Sequence, residues 1–425
     1  IRTTESNTSF YVDDISITYD DGTTVNDAVA QVGDDTFTSL DAAINAATYN
    51  DTVTVLKDTE LSSVVTKPIT LNGAAGATKP TVTVTAATGN NVVLFGDNTT
   101  LENITLSRGT DAATSDTAQY GALIGYGKDL TIKSSTIQNL AFNQTSYGKF
   151  DFDDVNFTGI YRNGWFLSTT GDSTLNKVTA TDNNFVESWV GFIATGGGVT
   201  TTLTNCTIKN NNGCRAIWTE NNNGSVTVLN GGNTLAEVAL GVGALTINET
   251  VPMSNIDIDY PNSYILTLGT NFAGNLTVPL TEETAVANKT VANVVSGANT
   301  DGITVTGMDT ENTVLKVDAD KLVIAEKTAP ASYTTKVGAA EVRKGTGEFA
   351  NTVATGFRAT VTNNGGTQGT FDNVRWNVKS ANDTKTTGYQ EMKTTVTLPP
   401  GANAEIFLIV DGLGDKNATA TVEIK

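Results

Sequence analysis

The side chains best placed for acid–base chemistry are Asp151, Asp153 and Asp154, in the phrase KFDFDDVNF. On a strand, Asp151 and Asp153 share one face about 6–7 Å apart, within the range of carboxylate pairs that cleave glycosidic bonds. A different chemistry is open to Tyr161, Trp165, Trp189, Phe192 and Trp218, which fall in or beside recurring apolar phrases. Two or three such rings turned outward would form a platform for stacking sugar rings, with neighbouring Asn and Asp side chains hydrogen-bonding the hydroxyls. Both sets admit a plainer account, in which the charges are solvated on strands and turns and the rings pack inside. Histidine is absent. That removes the commonest general base and metal ligand together, and with them serine–histidine and zinc hydrolases.

The charge balance narrows the partners further. Against 26 basic residues stand 45 acidic ones, a net charge of −19 spread along the chain without a basic patch, so nucleic acid and anionic membranes are not expected partners. No cofactor is expected, although the acidic balance accommodates a divalent cation such as calcium more easily than an anion. No apolar run is long enough to span a bilayer. The opening residues carry no signal-peptide pattern, and the expectation is a chain that begins inside a longer protein. Two cysteines, Cys206 and Cys214, are too few for a disulfide framework.

The elements that must position these side chains are strands. Thr, Val, Asn and Gly crowd a sequence that lacks long helical windows. Between residues 69 and 245 a degenerate repeat steps by 31, 20, 23 and 28 residues from Ile104 through Ser135, Val155 and Val178 to Cys206. Coils of that length, each with short strands between Gly and Asn turns, bury an inner face only against their neighbours, as a solenoid does. The alignment predicts three inward ranks. These are Leu101–Ile132–Phe152–Leu175–Leu203, Ile104–Ser135–Val155–Val178–Cys206 and Leu106–Ile137–Phe157–Ala180–Ile208. Outward ranks are Thr100–Thr131–Asp151–Thr174–Thr202, Glu102–Lys133–Asp153–Asn176–Thr204 and Thr105–Thr136–Asn156–Thr179–Thr207. Lys133 and Asp153 should then form an exposed bridge contributing ~0–1 kcal/mol. Cys206, on an inward rank, is expected to be a buried free thiol rather than a partner of Cys214.

Ahead of the repeat, Ser39 is an N-cap candidate and Leu40, Ala43, Ile44 and Ala47 form one apolar stripe at helical spacing. Thr52 to Val55 then alternates as a strand. This helix-then-strand order resembles the N-terminal cap of right-handed parallel β-helices of the pectin-lyase-like kind, where an amphipathic helix covers the open end of the coil stack. The phrase FYVDDISI near the start is similar to the closing strand of jelly-roll carbohydrate-binding modules. The stretch VAQVGDDTFTSLDAAINAATYNDTVTVLKD is similar to phrases in large secreted proteins of Gram-positive gut and rumen bacteria.

The resemblance implies an all-β fold. It comprises a right-handed parallel β-helix with an N-terminal helical cap over residues 26–328, with irregular last coils over 246–328. The alternating strands between Gly, Asn and Pro-Pro-Gly turns beyond Pro330 suggest an immunoglobulin-like β-sandwich over 329–425, and the FYVDDISI phrase implies that residues 1–25 are a strand and linker from a preceding module. Pectin-lyase-like enzymes work with paired or triple aspartates as hydrolases, or with Lys or Arg bases beside calcium-binding aspartates as lyases. Asp151, Asp153 and Asp154 would serve the first, and Arg162 or Arg215, near Asp172, Asp182, Glu187 and Glu220, the second. The Gly-His and Arg-Ile-Lys phrases of the hydrolases are missing. The leading expectation is therefore a non-catalytic adhesion, carbohydrate-attachment and stalk segment of an extracellular or surface-anchored protein. Its partner would be a polysaccharide or a host or plant glycan, held on Tyr161, Trp165, Trp189 and Trp218. The alternative is a polysaccharide lyase or glycoside hydrolase.

Overall fold

The computed structural model describes residues 27–76, 78–186, 191–212, 215–219, 224–250, 255–344, 353–379, 390–410 and 418–424. Residues 1–25, Glu187, Trp189, Cys214 and Glu220 lie outside them. The chain divides into two compact units. One is the chain through Thr310 with Leu315–Ala325, and the other is Glu311–Val314 with Glu326–Lys425.

The first unit is a stack of parallel coils, the architecture of a parallel β-helix. Leu101 pairs with Ile132, Ile132 with Phe152, Phe152 with Leu175 and Leu175 with Leu203, every step parallel. The second and third inward ranks are likewise buried, and the paired positions have the registers read from the sequence. No residue of the three outward ranks is buried. Period-two alternation of Leu, Ile, Val and Phe against Thr and Asp determines which face turns inward. A second, five-stranded parallel sheet runs through Gly89–Phe95, Tyr120–Ile124, Ala141–Phe142, Tyr161–Arg162 and Asn184–Phe185.

Corners turn through single left-handed residues at repeating positions. Asn103, Ser134, Asp154, Lys177 and Asn205 have φ between 43° and 56° at one corner. Asn139, Gly159, Asp182 and Asn210 have φ between 58° and 62° at another. Asn and Asp tolerate this region because their short polar side chains bond locally. Asn103 Nδ2, for example, donates to the Gly73 carbonyl one coil back at 3.0 Å. Inside the coils, Phe142, Phe150, Phe152, Phe157, Phe166, Phe185 and Phe192 form a connected aromatic stack. Buried polar groups are paired from coil to coil. Asn183 donates to Asn211 at 3.0 Å, and Thr195 and Thr227 share a 2.6 Å hydroxyl contact.

Strands at the two extremes of the stack pair antiparallel. Ala30–Val32 pairs with Thr52–Val55, and Lys321–Glu326 with Thr290–Val294. Such pairing covers strand edges that would otherwise present free backbone groups. The helix Leu40–Ala46 buries Leu40, Ala43 and Ile44 into the same core. Ser39 Oγ accepts from Ala42 N at 3.1 Å, and Lys67 Nζ donates to the carbonyls of Ile44, Asn45 and Ala47 at 3.1, 2.8 and 2.7 Å. Lysine thus serves the orphan carbonyls of a helix that has no C-terminal glycine.

The second unit consists of two three-stranded antiparallel sheets. Tyr333–Lys344, Val353–Asn363 and Asn403–Ile409 form one, and Gln390–Leu398, Gly369–Lys379 and Thr419–Ile424 the other. Phe357, Val361 and Leu408 of the first and Phe371, Val374 and Trp376 of the second share one buried cluster.

Candidate functional site

Asp151 and Asp153 stand exposed on the outward face of Ser146–Thr158, flanked by Thr131 and Thr174 and by Lys133 and Asn176. Asp153 accepts from Asn176 Nδ2 at 2.7 Å. Among the described residues it forms no ion pair with Lys133, although the register sets the two side by side. Asp154 holds a left-handed corner at φ 56°, a position explained by the turn. None of the three lines the 490 Å³ cleft that Arg162 borders.

Of the aromatic candidates, Tyr161 does not reach an outer platform. Its side chain is buried against Ala113 and Ala141 because its strand turns that position toward a satellite core. Phe192 is in the interior stack, and Trp189 lies outside the described residues. Trp165 and Trp218 do come together. Their rings are parallel within 10° with centroids 4.9 Å apart, and both are partly exposed.

Trp218 belongs to an outward rank whose register passes through Tyr147, Ser168, Ala194, Trp218, Ala239 and Asp257. At the other end of this rank Tyr147 meets Tyr126, which is 78% exposed, with ring centroids 5.9 Å apart. Clefts flank the tyrosine pair on both sides. The first, of 490 Å³, is lined by Asn143, Gln144, Thr145 and Arg162, and the second, of 420 Å³, by Ser168, Thr170, Gly196 and Gly197. A side chain at Gly196 would put its Cβ 2.1 Å from the Thr169 carbonyl, so glycine is needed for the coils to close at this point. The sequence signal for the tyrosines is a repeated Tyr-Gly-Lys, at 126–128 and 147–149. Its two lysines pair with Asp97 at 3.6 Å and Asp129 at 3.9 Å.

Charge is distributed unevenly along this rank. Beside Trp218, the Arg215 guanidinium contacts Glu237 at 3.1 Å, Asp259 at 3.8 Å and Asp257. Trp218 Nε1 donates to Asp259 Oδ2 at 2.7 Å, which fixes the indole plane. Arg162, at the tyrosine end, donates to the Asn163 carbonyl and to Thr145 Oγ1 at 3.3 Å. Asp172 accepts from Thr200 N as a turn residue. Among the described residues no group of three or more His, Cys, Asp or Glu side chains is arranged to hold a metal ion, and no helix is long and apolar enough to cross a membrane. Cys206 is free and buried, and burial pushes its thiol up to about 11. The site thus offers rings, hydroxyls and amides along a line, a surface suited to binding.

No protein-family model matches the chain, and no curated protein matches it. Among solved structures it is similar to the tailspike protein of Acinetobacter phage vB_ApiP_P1, at 13% sequence identity and a TM-score of 0.34, covering 89% of this chain and 81% of that one. A likeness at that level bears on neither activity nor partner, and the coil architecture rests on the strand registers alone.

Proposed function

We propose that this chain is a non-catalytic carbohydrate-attachment segment of an extracellular or surface-displayed bacterial protein. Its coil stack serves both as stalk and as binding face. The observation that carries the reading is the outward rank that holds both Tyr147 and Trp218, with the Tyr126 and Trp165 rings paired against them. Exposed aromatic side chains with polar neighbours are the chemistry that holds sugar rings in water. In this reading the coils wind right-handed in the pectin-lyase-like manner and the helix at Leu40–Ala46 is the lid of the stack. The second unit is an immunoglobulin-like sandwich, and the source is a large Gram-positive protein. That Asp151, Asp153 and Asp154 do not line the cleft bordered by Arg162 supports binding over cleavage.

The test is retention on insoluble polysaccharides and glycan arrays, with and without calcium, with the supernatant assayed for reducing or unsaturated ends. Retention without product is expected. Product release would replace this reading with the hydrolase or lyase alternative and direct substitution to Asp151, Asp153 and Arg162.

A further inference from the structure

We infer that the ligand of this face is an uncharged, linear glycan lying along the coil-stacking direction, with the tyrosine and tryptophan pairs as two stations of one site. This rests on the carbohydrate-binding reading above and goes beyond it in naming orientation, minimum length and charge class.

Orientation follows from the register. Tyr147 and Trp218 are three strand steps apart on one rank, a separation of about 14 Å at the spacing of paired strands. Between them stand only the short side chains of Ser168 and Ala194, which are 5% and 0% exposed and so already covered. The large rings therefore rise at two stations separated by short, covered residues. Trp165 reaches from the coil of Ser168 to stack on Trp218, across the coil of Ala194. A glycan laid along the rank meets both pairs, whereas one laid along a single coil meets only one. A disaccharide is shorter than the separation, and a hexasaccharide spans it.

Charge class follows from the groups around each station. At the tryptophan end, Glu237, Asp257 and Asp259 surround one guanidinium, so among the described residues the local balance is two negative charges. The indole N–H of Trp218 is already committed to Asp259. What that end offers a ligand is a ring face and carboxylate acceptors, which suit hydroxyl donors and oppose a uronate or sulfate. At the tyrosine end the two lysines are matched by Asp97 and Asp129. Arg162, with Asn143 and Gln144, adds a guanidinium and further hydrogen-bond donors at the edge of the cleft, so the exclusion of anions rests on the tryptophan end.

The test is titration calorimetry of the full chain with cellohexaose, xylohexaose, mannohexaose and chitohexaose, their disaccharides, and hexagalacturonate as the anionic probe. At least one uncharged hexaose should bind, with its disaccharide and hexagalacturonate each weaker by about tenfold or more, because a two-station site gains from linkage. Tyr147→Ala and Trp218→Ala should each lower hexaose affinity about tenfold, with melting curves unchanged and Tyr147→Phe retaining affinity. Equal affinity for disaccharide and hexaose, equal affinity for hexagalacturonate, or insensitivity to either alanine overturns the inference. If no hexaose binds while an insoluble polysaccharide is still retained, this inference fails and the carbohydrate reading stands. If nothing is retained in either format, both fail.

Discussion

Replacing Asn233 by alanine should cost the coil stack several kcal/mol, although the residue touches neither the aromatic rank nor either cleft. Asn233 is 2% exposed. Its Oδ1 accepts from Cys206 N at 2.9 Å, its Nδ2 donates to the Leu203 carbonyl at 3.1 Å and to Glu249 Oε1 at 3.0 Å, and its backbone N donates to Glu249 Oε2 at 3.0 Å. Alanine leaves the Leu203 carbonyl served by Asn230 N and Glu249 served by the backbone. Two losses remain. The Cys206 N–H becomes a buried donor without an acceptor, at about 1–3 kcal/mol, and the buried Glu249 carboxylate loses a charge-assisted bond of roughly 1.5–3 kcal/mol. With incomplete additivity the expected cost is about 3–5 kcal/mol. Urea denaturation followed by far-UV circular dichroism measures it. Hydrogen exchange should show the loss first in the coils around Cys206 and Thr234, because each coil is supported only by its neighbours. Asn156→Ala, on an outward rank, is the control, expected within about 0.5 kcal/mol of the parent. An Asn233→Ala variant within about 1 kcal/mol of the parent would refute the idea that buried amides hold the coils in register.

Three further expectations follow from the same structure. Lys67→Met should lower stability by about 1 kcal/mol or more, since three helix-end carbonyls lose their donor; an unchanged urea midpoint would contradict the capping role. Burial alone would push the Asp41 carboxyl up, but hydrogen bonds from Ser63 and Ser62 outweigh it and hold the group below the usual carboxylate range. Its contribution is therefore present in full above the unfolded value and is lost as pH falls through the folded one. Asp41→Asn should flatten the part of the acid-stability curve below about pH 4, and an identical curve would count against the assignment. Cys206 should resist thiol reagents at pH 8 until the chain is unfolded, because its thiol is buried and raised to about 11. Labelling of Cys206 in the native chain, located by peptide mapping, would contradict that burial.

The coil registers were legible because strand alternation has a period of two and a slip of one residue would expose a whole rank. From Leu101 to Leu203 the apolar positions admit one alignment, and the left-handed corners fall on Asn, Asp or Gly in most coils. The site was less legible. Tyr161 sits in the same kind of phrase as Trp165, and only the path of a two-residue strand decides that one is buried and the other partly exposed. Tyr126 and Tyr147 carry a readable signal in the repeated Tyr-Gly-Lys, masked by the abundance of glycine turns. The acids around Arg215 come from 22 and 42 residues away and, for Asp259, from beyond the strand Asp257–Ile258. Local spacing does not encode pairings made across several coils.

The most direct test of the central claim is retention of the parent chain and of a Tyr147→Ala, Trp218→Ala double variant on a panel of insoluble polysaccharides, with released sugar measured alongside. The account predicts that the parent is retained without product and that the double variant, with an unchanged melting curve, is not. Equal retention of the two proteins would contradict the aromatic rank as the binding face, and sugar release would contradict the non-catalytic reading.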